Sequence, residues 1–329
     1  MKTRLLTKKD IQSFLTMGTC MDAVEKAFAD FAAGSAVMPQ RTPIKPEGKG
    51  GIALFMPAYI PGLAALGAKV VTVYPENMNK FQIPVTLGTY ILLDESTGFP
   101  ISIMEGGFLT AMRTGAVTGV SCRYMAREDA KVLTIFGTGV QAFTQVLAVH
   151  EARPLEKIYT YSIDTQEIKD KFAKDITDKI GVPVVQADDP AAAVGESDIV
   201  VLATSAPKPI VDGNWFKPGT HISGIGSHSP GARELDTLTV QKARVICDHV
   251  DACKAEAGDF IIPAEAGEWS WDQAAGGLGE VVNGVVQGRT SDDEITLFKS
   301  VGLAIQDMSV GKAVMDEAEK QGIGTEFEF

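Results

Sequence analysis

The chain has 329 residues, 45% of them hydrophobic and 22% charged, with a formal net charge of −12. That length allows about two domains, each with its own core, and the acidic balance excludes broad binding along a nucleic-acid backbone. It leaves small anionic substrates open, because a few placed arginines override a distant field inside a closed cleft.

The opening MKTRLLTKKDIQSFL is charged throughout and lacks the apolar core of a signal peptide. Later apolar runs are broken well before the ~20 residues a membrane helix needs, so a cytoplasmic protein without membrane partners is expected. Helical stretches at 8–15 and 19–34 precede strand-like runs near 52–59, 64–74 and 85–93. YILLDESTGFPISIM (90–104) reads as two strands joined by a polar turn at Asp94–Gly98. This is α+β material with few βα alternations. Within it Arg41 follows VMPQ, Lys69 sits in LGAKVVTVYP, and Arg113 lies in LTAMRTGAVTG. A lysine in an apolar strand is costly to bury unless paired, and can instead be an edge residue that snorkels to water. Three cations in such settings suggest a site for a small carboxylate, which arginine grips bidentately.

From Lys131 to about Arg289 short apolar runs alternate with helical stretches. Candidate strands are 131–137, 157–164, 182–187, 197–205, 219–227 and 243–249, with helices at 140–151 and 165–180. Repeated βα units predict a parallel sheet with right-handed crossovers. At the end of the first strand, Gly137-Thr138-Gly139-Val140-Gln141-Ala142 fits G-x-G-x-x-G/A, the turn that brings backbone close to a dinucleotide pyrophosphate. The end of the next strand should face the adenosine ribose. There Ser162 stands where an aspartate is often found, Asp164 follows, and no Arg or Lys occurs between Ile158 and Ile168. Asp164 would repel a 2′-phosphate, which favours NAD(H) over NADP(H). Cys20, Cys122, Cys247 and Cys253 show neither CxxC nor zinc spacing, and the four histidines have no paired carboxylate spacing, so no metal is expected. His150, His221 and His249 fall at helix or strand positions and read as structural.

Several blocks in order resemble the ornithine cyclodeaminase/μ-crystallin family: MP at 38–39 before Arg41, LGAKVV around Lys69, GFPISIMEGGFLTAMRTGAVTG at 98–119, GTGVQA at 137–142, GSHSPGARELD at 226–236, GEVVNGVVQGR at 279–289 and DDEITLFKSVGLAIQD at 292–307. The resemblance covers essentially the whole chain. It implies a Rossmann-type doubly wound parallel sheet at 119–302, inserted in a discontinuous α+β domain of 1–118 plus 303–329 that binds substrate and forms a homodimer. It implies an amino-acid dehydrogenase or imine reductase in which Arg41, Lys69 and Arg113 hold the substrate carboxylate. Lys69 is the residue most able to relay a proton. Thr114, Gly137, Gly139, Val140, Gln141, Ala203, Thr204, Gly226, Lys299 and Ser300 match cofactor-contact positions, beside Ser162 and Asp164.

One position departs from the family. The cyclodeaminases carry an aspartate in the block aligned with GSHSPG, where this chain has His228 between Ser227 and Ser229. A carboxylate suits a cationic side chain, whereas an imidazole among hydroxyls suits a neutral or anionic one. If that loop faces substrate, ornithine and lysine should be disfavoured, and small or acidic imino acids accepted. His228 could also be a loop residue that bonds its own backbone. Two other readings remain open: an ornithine cyclodeaminase with no net redox change, and a μ-crystallin-like protein that holds cofactor or ligand with little turnover.

Overall fold

The computed structural model describes residues 2–328. The chain begins with β1 (Lys2–Leu6), α1 (Lys8–Gln12), α2 (Met17–Ala32), β2 (Thr42–Ile44), β3 (Ile52–Ile60), β4 (Ala65–Val73), α3 (Asn77–Phe81), β5 (Thr86–Leu93), β6 (Pro100–Glu105) and α4 (Gly106–Met125). There follow β7 (Val132–Phe136), α5 (Val140–Ala152), β8 (Lys157–Tyr161), α6 (Gln166–Ile180), β9 (Val184–Gln186), α7 (Pro190–Glu196), β10 (Ile199–Leu202) and β11 (His221–Gly224). Next come α8 (Thr237–Lys242), β12 (Arg244–Cys247), α9 (Val250–Glu256), α10 (Gly258–Glu265), β13 (Ala274–Gly277), α11 (Leu278–Val282) and β14 (Thr296–Lys299). The chain closes with α12 (Ala304–Gln321) and β15 (Thr325–Glu328). It divides into two compact units: residues up to Arg113 together with those from Leu303 onward, and Thr114–Gly302. The division falls inside α4.

The first unit carries a seven-stranded mixed sheet in the order β15-β1-β6-β5-β4-β3-β2. Helix α2 buries Met17, Cys20, Met21, Val24, Ala27 and Phe28, the spacing of one apolar stripe, and Thr16 caps its first turn. The closing helix packs in this unit against α2 and strands β3, β4 and β5. Strand β4 alternates buried and half-buried residues, and Lys69 falls on the buried face. Two residues earlier on that face is Gly67, where a Cβ would stand 3.0 Å from Met308 Sδ and 2.1 Å from Ile91 O. Glycine there lets α12 lie directly on the strand.

The second unit carries an eight-stranded sheet in the order β13-β12-β14-β11-β10-β7-β8-β9, and every pairing in it is parallel. This is the doubly wound α/β sheet expected from the βα repeats. Strands β10, β11 and β14 are buried at every residue, as befits a sheet covered on both faces. Two of its strands go beyond the six candidates: β13 at the edge, and β14 between β11 and β12. The sequence TLFK of β14 ends in Lys299, which is buried against the distant carboxylate of Asp259. His221 is buried in β11, with Nδ1 2.9 Å from Thr296 Oγ1 and Nε2 3.2 Å from Ser121 Oγ. Burial pushes its pKa down to about 3, so it is a neutral structural histidine. All four cysteines are buried and free: Cys20 in the first unit, Cys122, Cys247 and Cys253 in the second. Burial pushes the thiols of Cys20 and Cys122 up to about 12.

Candidate active site

In the first unit, the register of β4 and β5 places Lys69 directly beside Tyr90. Lys69 is 1% exposed and donates to Asp307 Oδ1 at 2.9 Å, with Asp307 Oδ2 2.8 Å from the same ammonium. Asp307 comes from the first turns of α12 and is itself fully buried. Tyr90 donates its hydroxyl to Asp307 Oδ1 at 2.7 Å. From α4, Arg113 brings Nε within 2.9 Å of Asp307 Oδ1, off the line of a hydrogen bond, and donates from Nη1 to Gln306 Oε1 at 2.6 Å. One carboxylate therefore serves two cations. Burial first, then the charges of Arg113 and Arg41, push the Lys69 pKa down to about 7, although Asp307 pulls it upward. Arg41 is half-buried just ahead of β2. The first unit thus brings together two of the three sequence-predicted cations, and the charge of the third acts on Lys69 through space. An ammonium poised near neutrality beside a guanidinium can hold a carboxylate and exchange one proton.

In the second unit, Gly137 follows β7 at φ +102, a conformation that favours glycine, and a Cβ there would meet Ala203 O at 2.8 Å. Gly139 then caps α5 with no side-chain hydrogen bond, so the first N–H groups of the helix have no side-chain partner at the cap. A Cβ on Gly139 would touch nothing within 4 Å. The space in front of this helix is open, and its dipole favours an anion. Val140 is exposed, and the Gln141 side-chain oxygen is buried without a partner. Thr138 donates to both Ser162 and Asp164, and Ser162 donates to Asp164 Oδ2 at 2.6 Å. Hydrogen bonds from Ser162 and Thr138 hold the Asp164 pKa below its ordinary value, which keeps it an anion. Helix dipole, open glycine and fixed carboxylate fit a nicotinamide dinucleotide. Thr114 on α4 accepts at its carbonyl from Gln145 Nε2 at 3.1 Å, tying α4 to α5.

The remaining predicted residues gather around carboxylates that the sequence reading missed. Glu234 accepts from Thr204 N and Oγ1 at 2.8 and 2.7 Å, and from Gly226 N and Ser227 N at 2.8 and 3.1 Å. It thereby clamps the loop after β10, which holds Ala203 and Thr204, to the loop after β11. Asp259 Oδ1 in turn accepts from Glu234 N and Leu235 N. Lys299 is 0% exposed, and its ammonium lies 2.6 Å from Asp259 Oδ2. Ser300 donates to Asp248 Oδ2 at 2.8 Å. The side chains of Lys299 and Ser300 therefore face internal carboxylates. His228 stands exposed in the loop after β11. Of the missed residues, Asp307 carried one signal: it is the lone charge in the stretch SVGLAIQDMSVG at 300–311.

The pattern of the ornithine cyclodeaminase/mu-crystallin family matches residues 1–322. The chain belongs to this family. Among solved structures it is similar to the Δ1-pyrroline-2-carboxylate reductase of Thermococcus litoralis in complex with NADH and L-proline. Identity is 41%, the TM-score is 0.94, and 98% of this chain and 99% of that one are covered. It is also similar to an archaeal alanine dehydrogenase dimer with bound NAD, at 33% identity, TM-score 0.93 and full coverage of both chains. A third is the iminosuccinate reductase of Paracoccus denitrificans in complex with NAD+, at 28% identity, TM-score 0.92 and again full coverage of both. All three family members bind a nicotinamide dinucleotide, the group that the turn after β7 fits. No helix among the described residues is long and apolar enough to cross a membrane.

Proposed function

We propose that this chain is a cytoplasmic, homodimeric oxidoreductase that interconverts a small α-amino acid and its imino or 2-oxo acid, using NAD(H) in preference to NADP(H). The observation that carries the reading is the buried Lys69–Asp307–Arg113 cluster, in which one carboxylate serves two cations. Such a cluster calls for an anion. The family members named above act on amino or imino acids with a carboxylate, and the alanine dehydrogenase among them is a dimer. NAD(H), when bound, accepts or supplies hydride at carbon.

Arg113 and Lys69 hold the substrate carboxylate and so fix the α-carbon against rotation. Their charge favours the electron-poor imine over the amine. Lys69, with a pKa near 7, gives a proton to the substrate nitrogen or takes one from it. Asp164 accepts from the ribose 2′-hydroxyl and opposes a 2′-phosphate. Buried free thiols suit a reducing compartment. A panel of 2-oxo acids with ammonia or methylamine, together with cyclic imino acids, should oxidise NADH on mixing, followed by nicotinamide absorbance. Ammonia release from ornithine without net change in cofactor would instead make the chain a cyclodeaminase. Tight nucleotide binding without turnover would make it a binding protein.

We further propose that His228 meets the substrate side chain, so that neutral or acidic imino acids such as those of pyruvate, glyoxylate or oxaloacetate are preferred. Its exposure in the loop after β11 supports this, as does the similarity to an iminosuccinate reductase. The variant His228→Asp should gain turnover with ornithine and lose it with diacids. An unchanged substrate profile removes His228 from the site.

A further inference from the structure

Every charged or phenolic group facing the Lys69 ammonium comes from a different element. Asp307 reaches it from α12, Tyr90 from β5 and Arg113 from α4, while Arg41 acts from the segment before β2. From the other flanking strand, β3, the residue in register is the uncharged Met56. Asp307 alone touches three of these groups. Its Oδ1 receives Lys69 and the Tyr90 hydroxyl and sits against Arg113 Nε. The residue before it, Gln306, is fully buried and takes Arg113 Nη1, leaving its own Nε2 without a partner. Because Oε1 must face the guanidinium, the amide cannot be turned round. The first turns of α12 therefore grip both cations at once.

We propose that Asp307 is a positioning residue that aims Lys69 and Arg113 at a common anion and sets the proton affinity of Lys69 for the reaction. The proposal rests on the redox function put forward above. With no carboxylate at 307, burial and the two arginines act on Lys69 unopposed, and its proton is lost at lower pH. Tyr90 acts in the opposite sense. Its hydroxyl draws on the same carboxylate oxygen, so its removal leaves more of the Asp307 charge for Lys69. Two conservative changes should thus move one lysine in opposite directions, which a merely structural carboxylate would not do.

The test uses the full-length protein with 13C-labelled lysine, the Lys69 signal being assigned by its absence in Lys69→Arg. In Asp307→Asn the Lys69 titration midpoint should fall by about one pH unit or more, and in Tyr90→Phe it should rise by a fraction of a unit. With a substrate from the panel, the kcat/KM limb that reports Lys69 should move with the midpoint. Rates on that limb then change roughly tenfold per unit. Midpoints that stay put, or move together in one direction, overturn the proposal. Should Asp307→Asn fail to fold, Tyr90→Phe alone decides by the sign of its shift. Should no acid on the panel turn over, the redox reading fails, while the titration still judges Asp307.

Discussion

Two buried lysines invite comparison. Lys69 in the first unit and Lys299 in the second each end in an aspartate donated by a helix, at 2.8 and 2.6 Å. Their surroundings differ in sign. Around Lys69, burial and the arginines outweigh Asp307, and the pKa falls to about 7. Around Lys299, burial alone would also lower the pKa, but Asp259 and Glu234 together outweigh it and hold the ammonium above its ordinary value. A lysine enclosed with surplus cations is arranged to receive an anion; one enclosed with surplus carboxylates already has its anions. The desolvation is similar, and the neighbouring charge decides the role.

Removing each lysine should separate the roles most strongly. Lys299→Met leaves Asp259 and Glu234 buried without their cation, and should cost about 3–5 kcal/mol of stability in denaturant unfolding. Lys69→Met leaves Asp307 with Arg113 and Tyr90, and should cost much less stability while abolishing most turnover. Equal losses of stability in the two variants would erase the distinction. Next in size is Arg113→Ala, which on the proposed reading loosens the substrate carboxylate. It should lower kcat/KM by roughly a hundredfold, as expected for a lost charged hydrogen bond.

The pH dependence of folding sharpens the contrast. Lys69 is deprotonated near pH 7 when folded but keeps its proton to about 10.5 when unfolded. Between those values its contribution to stability rises with pH, by up to roughly 1.4 kcal/mol per unit, and is lost as pH falls through 7. Lys299, held above its ordinary value, contributes fully below about 10.5 and is lost only as pH rises through its folded pKa. Urea unfolding of the wild type from pH 7 to 9.5 should therefore show a more positive slope than Lys69→Met. Parallel slopes would mean that Lys69 keeps its proton in the fold. The smallest effect concerns the cofactor. Asp164→Ser should raise the relative efficiency with NADP(H), and an unchanged cofactor ratio would take the carboxylate away from the ribose.

The same contrast explains what the sequence could reveal. Strands β7 and β10 were legible because a sheet covered on both faces requires unbroken apolar runs. The turn at Gly137–Gly139 was legible because its backbone needs glycine locally. Lys69 and Arg113 stood out as charges in apolar surroundings. Their counter-ion did not, since Asp307 lies 238 residues from Lys69 along the chain. Glu234 and Asp259 were hidden for the same reason, and with them the strand β14 that carries Lys299. The edge strand β15 and its neighbour β1 escaped because their runs are short and carry polar residues, and their pairing joins the two ends of the described chain.

The buried thiols give each unit its own clock. An enclosed thiol meets an alkylating reagent only when its surroundings open. Cys20 therefore times the opening of the first unit, and Cys122, Cys247 and Cys253 time the second. Mass spectrometry of intermittently alkylated protein would read the two breathing rates from a single sample. A ligand that slows one set of cysteines and spares the other would report which unit it has tightened.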